Sequence, residues 1–182
     1  MDGRKEGTPY IVHPLSMACY AVALGIRDDN VIATVLLHDV VEDCGVMLSS
    51  LPVNDTIKTG IKYMTIAPLE GETKEETKRR YFQQLLDSKE AIICKALDRY
   101  DNLSTMAGVL KEEAIIKNIN ETDNLLLPVL KKAKEKWVEL SNIMYILRFN
   151  IRSINDTLRE EYITKKEVVA DQSDEESYCT ES

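Results

Sequence analysis

The sequence predicts an all-α protein, a bundle of about seven helices, on three observations. Every segment with a hydrophobic period repeats at i, i+3 or i+4. None shows the strict alternation of a half-buried strand. Cap and breaker residues fall between the periodic segments. At 182 residues the chain suits one domain with a sizeable core and leaves little room for a second.

The elements follow in order. An apolar-rich helix over 15–24 stops at Gly25, a C-terminal signal. Asp28 or Asp29 can cap the next, which carries Val31, Ile32, Val35 and Leu36 toward His38. Ile57, Ile61 and Met64 recur at i, i+4 and i+7 and give a third. After a turn around 68–71, Thr73 and Glu76 have the spacing of a capping box ahead of Tyr81, Phe82, Leu85 and Leu86. Asp87-Ser88 breaks that helix and can cap another over 89–106, ended by Gly108. The stretch 112–136 is helical in composition, with Pro128 bound to kink or interrupt it. Ser141 precedes the stripe Ile143, Leu147, Ile151, Ile154 and Leu158.

Composition narrows the function classes. Apolar residues make up 44% of the chain, enough for a packed core. No run of about 18 apolar residues exists, which excludes a transmembrane helix, and the N-terminal stretch lacks the apolar region of a secretory signal. Cys19, Cys44, Cys94 and Cys179 lie far apart without C-x-x-C pairing, as free thiols in a reducing compartment do. A soluble cytoplasmic protein is the expectation. A net charge of −8 makes a poor surface for nucleic acid. Residues 171–182 carry five acids and no base, so a domain over 1–164 and an acidic, disordered tail over 165–182 are expected.

The chain has only two histidines, and both keep unusual company. His13 lies in TPYIVHP just before an apolar helix, and His38 is followed at once by Asp39. Glu42 and Asp43 come four residues after each. If the helix continues, His38 and Glu42 share one direction, and Asp39 and Asp43 an adjacent one. Four ionisable groups then crowd the end of an apolar helix, where a bare carboxylate is costly and a divalent cation would satisfy it. Taken singly, a His-Asp pair is more often a surface pair or a helix-end charge, and Glu42-Asp43 a solvated helix end. A second cluster shifts the balance: Asp98, Asn102 and Thr105 stand at i, i+4 and i+7 on one helical face. By itself that row also reads as a polar, exposed stripe. Lys78-Arg79-Arg80 reads first as a solvated basic face, while Lys95 and Arg99 are cations available to a polyanion.

Arg4-Lys5 with YIVHP over 10–14, LLHDVVED over 36–43, and KALDR over 95–99 followed by Asn102 resemble the hydrolase domain of the RelA/SpoT family. Glu121-Thr122 with Leu127-Pro128 resembles a later element of it. The likeness is greatest to stand-alone small alarmone hydrolases, which belong with the HD phosphohydrolases. It implies an HD-type helical bundle in which His13, His38, Asp39 and Asp98 bind a divalent metal, usually manganese. It implies that Glu42 and Asp43 handle protons around the attacking water, that Arg4 and Lys5 lie near the nucleotide, and that Asn102 and Thr105 hold it. The implied reaction removes the 3′-pyrophosphate of (p)ppGpp to leave GDP or GTP.

Three departures accompany the likeness. Family members begin with a helix before the Arg-Lys pair, and almost nothing precedes Arg4 here. The later motif usually reads KLADRLxNMRT. Here Ala96-Leu97 reverse two apolar choices, Asp101 precedes Asn102, and Ser104 replaces the arginine. No synthetase domain follows, so hydrolysis alone is expected. An HD phosphohydrolase acting on another nucleotide and a catalytically idle nucleotide-binding protein are the alternatives.

Overall fold

The computed structural model describes residues 9–165, and among these every regular element is helical. Arg4, Lys5, Cys179 and the acidic tail from residue 166 onward lie outside the described residues. The elements are α1 (Val12–Ala23), α2 (Asp29–Leu37), α3 (Val40–Cys44), α4 (Asp55–Met64), α5 (Lys74–Gln84), α6 (Lys89–Thr105), α7 (Glu112–Glu121), α8 (Leu127–Lys136) and α9 (Ser141–Arg159). Two pairs belong together. Only His38 and Asp39 separate α2 from α3, and a π-helical stretch, Thr122–Leu126, joins α7 to α8. Counting each pair once, the nine described α-helices match the about seven helices that the hydrophobic periods predict.

Capping chemistry sets most boundaries. Asp28 accepts from Asn30 N at the start of α2, Asn54 from Ile57 N at α4, and Ser88 from Ala91 N at α6. Thr73 and Glu76 make both bonds of the capping box that opens α5. The π-helical stretch ends just before Pro128, whose ring nitrogen has no proton to donate to the turn behind it. That is the interruption the proline demands. Helix α1 begins earlier than its apolar run suggests, so His13 and Pro14 occupy its first turn, where a proline costs no hydrogen bond.

Helix α6 is the axis of the bundle. It packs against α1, α2, α4, α8 and α9, and ten of its residues are buried. A helix apolar on most sides belongs inside, and the polar residues it takes inward, Glu90, Asp98 and Arg99, all find partners. On α9 the buried row is Met144, Leu147, Ile151, Asn155 and Leu158, while Ile143 and Ile154 are only partly covered. Asn155 takes its buried place by donating to Ile119 O and Asp123 Oδ1. Helices α2 and α4 approach closely at Gly60, where an added Cβ would lie 2.8 Å from Thr34 Oγ1. None of the described helices is long and apolar enough to cross a membrane.

Candidate metal centre

Helices α1, α2 and α6 pack against one another, and their polar residues meet where the three converge. His13 comes from the first turn of α1, His38 and Asp39 from the break after α2, and Asp98, Asp101 and Asn102 from the middle of α6. One ligand atom from each of His13, His38 and Asp98 lies within 4.8 Å of the others, and all three residues are buried. Among the described residues this is the one cluster of such groups compact enough to hold a metal ion. The two imidazole centroids are 5.4 Å apart.

The hydrogen bonds fix which nitrogen faces inward. His38 Nδ1 lies 2.9 Å from Val35 O. A carbonyl only accepts, so Nδ1 carries the proton and Nε2 presents a lone pair. Nε2 is buried and makes no hydrogen bond, although Asp39 Oδ2 stands 3.0 Å away. His13 repeats the pattern: Nδ1 lies 2.6 Å from Asp101 Oδ2, and Nε2 lies 3.3 Å from Asp98 Oδ1. With neutral rings, each Nε2 lone pair therefore faces a carboxylate oxygen, an unfavourable meeting of two acceptors. A positive charge between them resolves it, whether a proton or a metal ion. The donor set, two imidazoles and carboxylates, suits several divalent cations.

The remaining contacts hold the carboxylates in place. Asp98 Oδ2 accepts from Lys95 Nζ at 2.8 Å, and Asp98 Oδ1 from Asn102 Nδ2 at 2.6 Å. Asp39 Oδ2 accepts from the Tyr10 hydroxyl at 2.6 Å. Burial alone would raise the Asp98 carboxyl, but Lys95 and the two histidines hold it well below the ordinary range. Asp39 behaves likewise: burial is outweighed by His38 and Tyr10, and the carboxyl stays low. Burial would push the His38 imidazole down, yet Asp39, Asp98 and the Val35 carbonyl carry it up. Burial and Asp39 raise the Tyr10 phenol, so it remains a donor. Among the described residues three carboxylates (Asp39, Asp98, Asp101) surround the rings, and the ammonium of Lys95 faces Asp98. The site attracts positive charge.

Several residues singled out in the sequence take different places. The break at His38-Asp39 ends the helical register on which the pairing of His38 with Glu42 depended. Asp39 adopts φ −100°, ψ −2°, and α3 restarts at Val40. Glu42 is exposed, with Oε1 accepting from Ile66 N at 2.7 Å, and Asp43 is exposed beside it. Asn102 lies at the centre through its bond to Asp98, whereas Thr105 is exposed and donates to Asp101 O at 3.0 Å. Arg99 does not face the site. Buried, it donates to Asn118 Oδ1 at 2.6 Å and to Glu121 Oε1 at 2.5 Å, which leaves it no reach to a polyanion. Within the basic cluster, Lys78 pairs with Glu121, and Arg80 with Glu72 at 2.6 Å. The sequence motifs contain Tyr10 and Asp101 but gave neither a role, although Tyr10 stands three residues before His13 and Asp101 three after Asp98.

No protein-family model matches the chain. Individual relatives do. It is 29% identical over 152 residues to a probable GTP pyrophosphokinase of Mycobacterium leprae, covering 79% of this chain and 19% of that protein. It is 28% identical over 188 residues to a guanosine-3′,5′-bis(diphosphate) 3′-pyrophosphohydrolase of Aquifex aeolicus, covering 89% and 26%. The bifunctional (p)ppGpp synthase/hydrolase RelA of Mycobacterium tuberculosis is 29% identical over 152 residues, covering 79% and 20%. The chain thus spans about a fifth to a quarter of the length of the curated relatives it matches. Hydrolases and synthetases both occur among these proteins, and the similarity supports a RelA/SpoT-family domain.

Proposed function

We propose that this RelA/SpoT-family domain is a divalent-metal-dependent (p)ppGpp 3′-pyrophosphohydrolase. One observation carries the reading: two buried imidazoles, each with Nδ1 committed elsewhere, turn Nε2 toward aspartate oxygens in a cluster within 4.8 Å. His13, His38 and Asp98 would hold the ion, with Asp39 joining from its place 3.0 Å from His38 Nε2. When bound, a divalent cation such as Mn²⁺ polarises a phosphoryl oxygen and lowers the pKa of a water it contacts from about 16 toward 7.

The chain's own groups do the rest. Glu42 or Asp43, both exposed, accepts the proton that water loses as its oxygen attacks phosphorus. The bond that breaks joins the pyrophosphate to the ribose 3′-oxygen. That oxygen regains a proton, leaving pyrophosphate and GDP or GTP. Asn102, which donates to Asp98, and Thr105, exposed near the end of α6, hold the nucleotide in this reading, with Arg4 and Lys5 as its cationic partners.

The test is to incubate the purified chain with ppGpp and each of Mn²⁺, Mg²⁺, Zn²⁺ and Co²⁺ and to follow pyrophosphate and GDP by chromatography. Release with at least one ion is the expected result; no release with any of them overturns the substrate assignment. A second reading, hydrolysis of a different nucleotide, is favoured by Ser104. Its exposed hydroxyl donates to Tyr100 O at 2.7 Å and supplies no cation where the motif that this segment resembles has arginine. A nucleotide panel scored by released phosphate or pyrophosphate separates the two. Nucleotide that binds tightly and is recovered unchanged in the presence of metal would instead establish an idle binding protein.

A further inference from the structure

Asp101 is the one carboxylate of the cluster to which neither the sequence motifs nor the reaction gives a purpose. It stands three residues after Asp98 on α6, so the two carboxylates lie on one helical face. A single imidazole bridges them: Asp101 Oδ2 meets His13 Nδ1 at 2.6 Å, and Asp98 Oδ1 faces Nε2 at 3.3 Å. The Asp101 side chain is 16% exposed, and that of His13 is 4%. Their hydrogen bond is therefore well shielded from competing water.

We propose that Asp101 is a positioning residue for the metal, one that selects the His13 tautomer and locks its ring. This rests on the metal reading above. An imidazole can turn over by half a rotation, exchanging Nδ1 with a carbon, and in its neutral form it has two tautomers. Only one combination aims an unprotonated Nε2 at the centre. A carboxylate accepts but cannot donate, so at Nδ1 it admits only the protonated nitrogen and excludes the other combinations. It also withdraws the Nδ1 proton partway, which makes Nε2 a stronger donor to a cation. His38 obtains the same orientation from a neutral partner, the Val35 carbonyl at 2.9 Å. His13 has the greater need. It sits in the first turn of α1, beside the exposed Ile11 and Val12, where a helix is least constrained by its own ladder. Its anchor comes from α6, the most buried helix of the fold.

The experiment is a calorimetric Mn²⁺ titration of the metal-stripped full chain, run on wild type, Asp101→Ala and Asp101→Asn, with urea unfolding of the same metal-free samples. Loss of the anchor should raise the Mn²⁺ Kd of Asp101→Ala about 10- to 100-fold, the effect usual for a group that orients a ligand. The metal-free urea midpoint should hardly move. Asp101→Asn keeps an oxygen able to accept from Nδ1 but loses the charge, so its Kd should fall between the other two. An Asp101→Ala Kd equal to wild type overturns the proposal, as does a lowered urea midpoint with an unchanged Kd for the folded protein. If Asp101→Ala does not fold, Asp101→Asn decides: weaker binding than wild type supports the role, and equal binding overturns it. Wild type that binds none of Mn²⁺, Zn²⁺ and Co²⁺ defeats the metal reading itself, and this inference with it. Wild type that binds while both variants bind equally well defeats the inference alone.

Discussion

Glu121→Gln tests whether Arg99 is a structural pin or a phosphate ligand. Arg99 is 4% exposed and sits beside Asp98 on the central helix. Its guanidinium donates to Glu121 Oε1 at 2.5 Å and to Asn118 Oδ1 at 2.6 Å. Removing one partner of a buried ion pair costs about 3–5 kcal/mol, because the charge left behind stays desolvated. Two features place this substitution at the lower end. The Gln oxygen still accepts a hydrogen bond, and Asn118 remains in place. A loss of about 3 kcal/mol is therefore expected, a large share of the roughly 5–15 kcal/mol of a typical domain. With m near 2 kcal/mol/M in urea, the midpoint should drop by about 1.5 M.

The pH dependence adds a second readout. Burial would raise the Glu121 carboxyl, but Arg99 and Lys78 hold it below its ordinary value of 4.5. A depressed carboxylate contributes stability above its unfolded pKa, and that contribution is lost as pH falls through the lower folded value. The gap between wild type and Glu121→Gln should therefore be full at pH 7 and close on acidification below about 4.5. Replacing both partners, Arg99→Met with Glu121→Leu, should recover most of the loss, since no buried charge is left unpaired and Lys78, the other partner of Glu121, reaches solvent. An unchanged midpoint combined with lost turnover would refute this reasoning and return Arg99 to the substrate.

Three further outcomes follow from the site and its supports. His38→Ala should retain helical circular dichroism but lose bound metal on elemental analysis; metal content near wild type would remove His38 from the ligand set. Glu42→Gln keeps an oxygen for Ile66 N, so the fold and metal content should hold while kcat falls about 100-fold or more, the usual worth of a general base. Full turnover in that variant would leave Asp43 or another group as the base. Gly60→Ala forces a methyl to within 2.8 Å of Thr34 Oγ1 and 2.9 Å of Thr34 Cγ2. It should destabilise the protein by about 1–3 kcal/mol in urea unfolding, and a neutral effect would show that α2 and α4 can part freely.

The amino-acid order alone determined the helical architecture, because periodicity and capping are local. The box at Thr73 and Glu76, the cap at Ser88 and the interruption at Pro128 each depend on residues a few positions apart. The same locality made His13, His38, Asp98 and Asn102 legible as candidates: two rare imidazoles and a row on one helical face. What locality could not supply was direction. Whether α2 ran on past His38 depended on packing, and the break at Asp39 sent Glu42 toward Ile66 and Asp39 toward His38. Asp101 and Tyr10 gained meaning only when α1 was laid against α6 and the α2–α3 break, 88 and 29 residues away in sequence. Arg99, one position from Asp98, was claimed by Glu121 and Asn118 from the opposite side. Backbone preferences fix which helices form, but the fate of a charged side chain is set by the desolvation it meets and the partner it finds, and both exist only once the helices have packed.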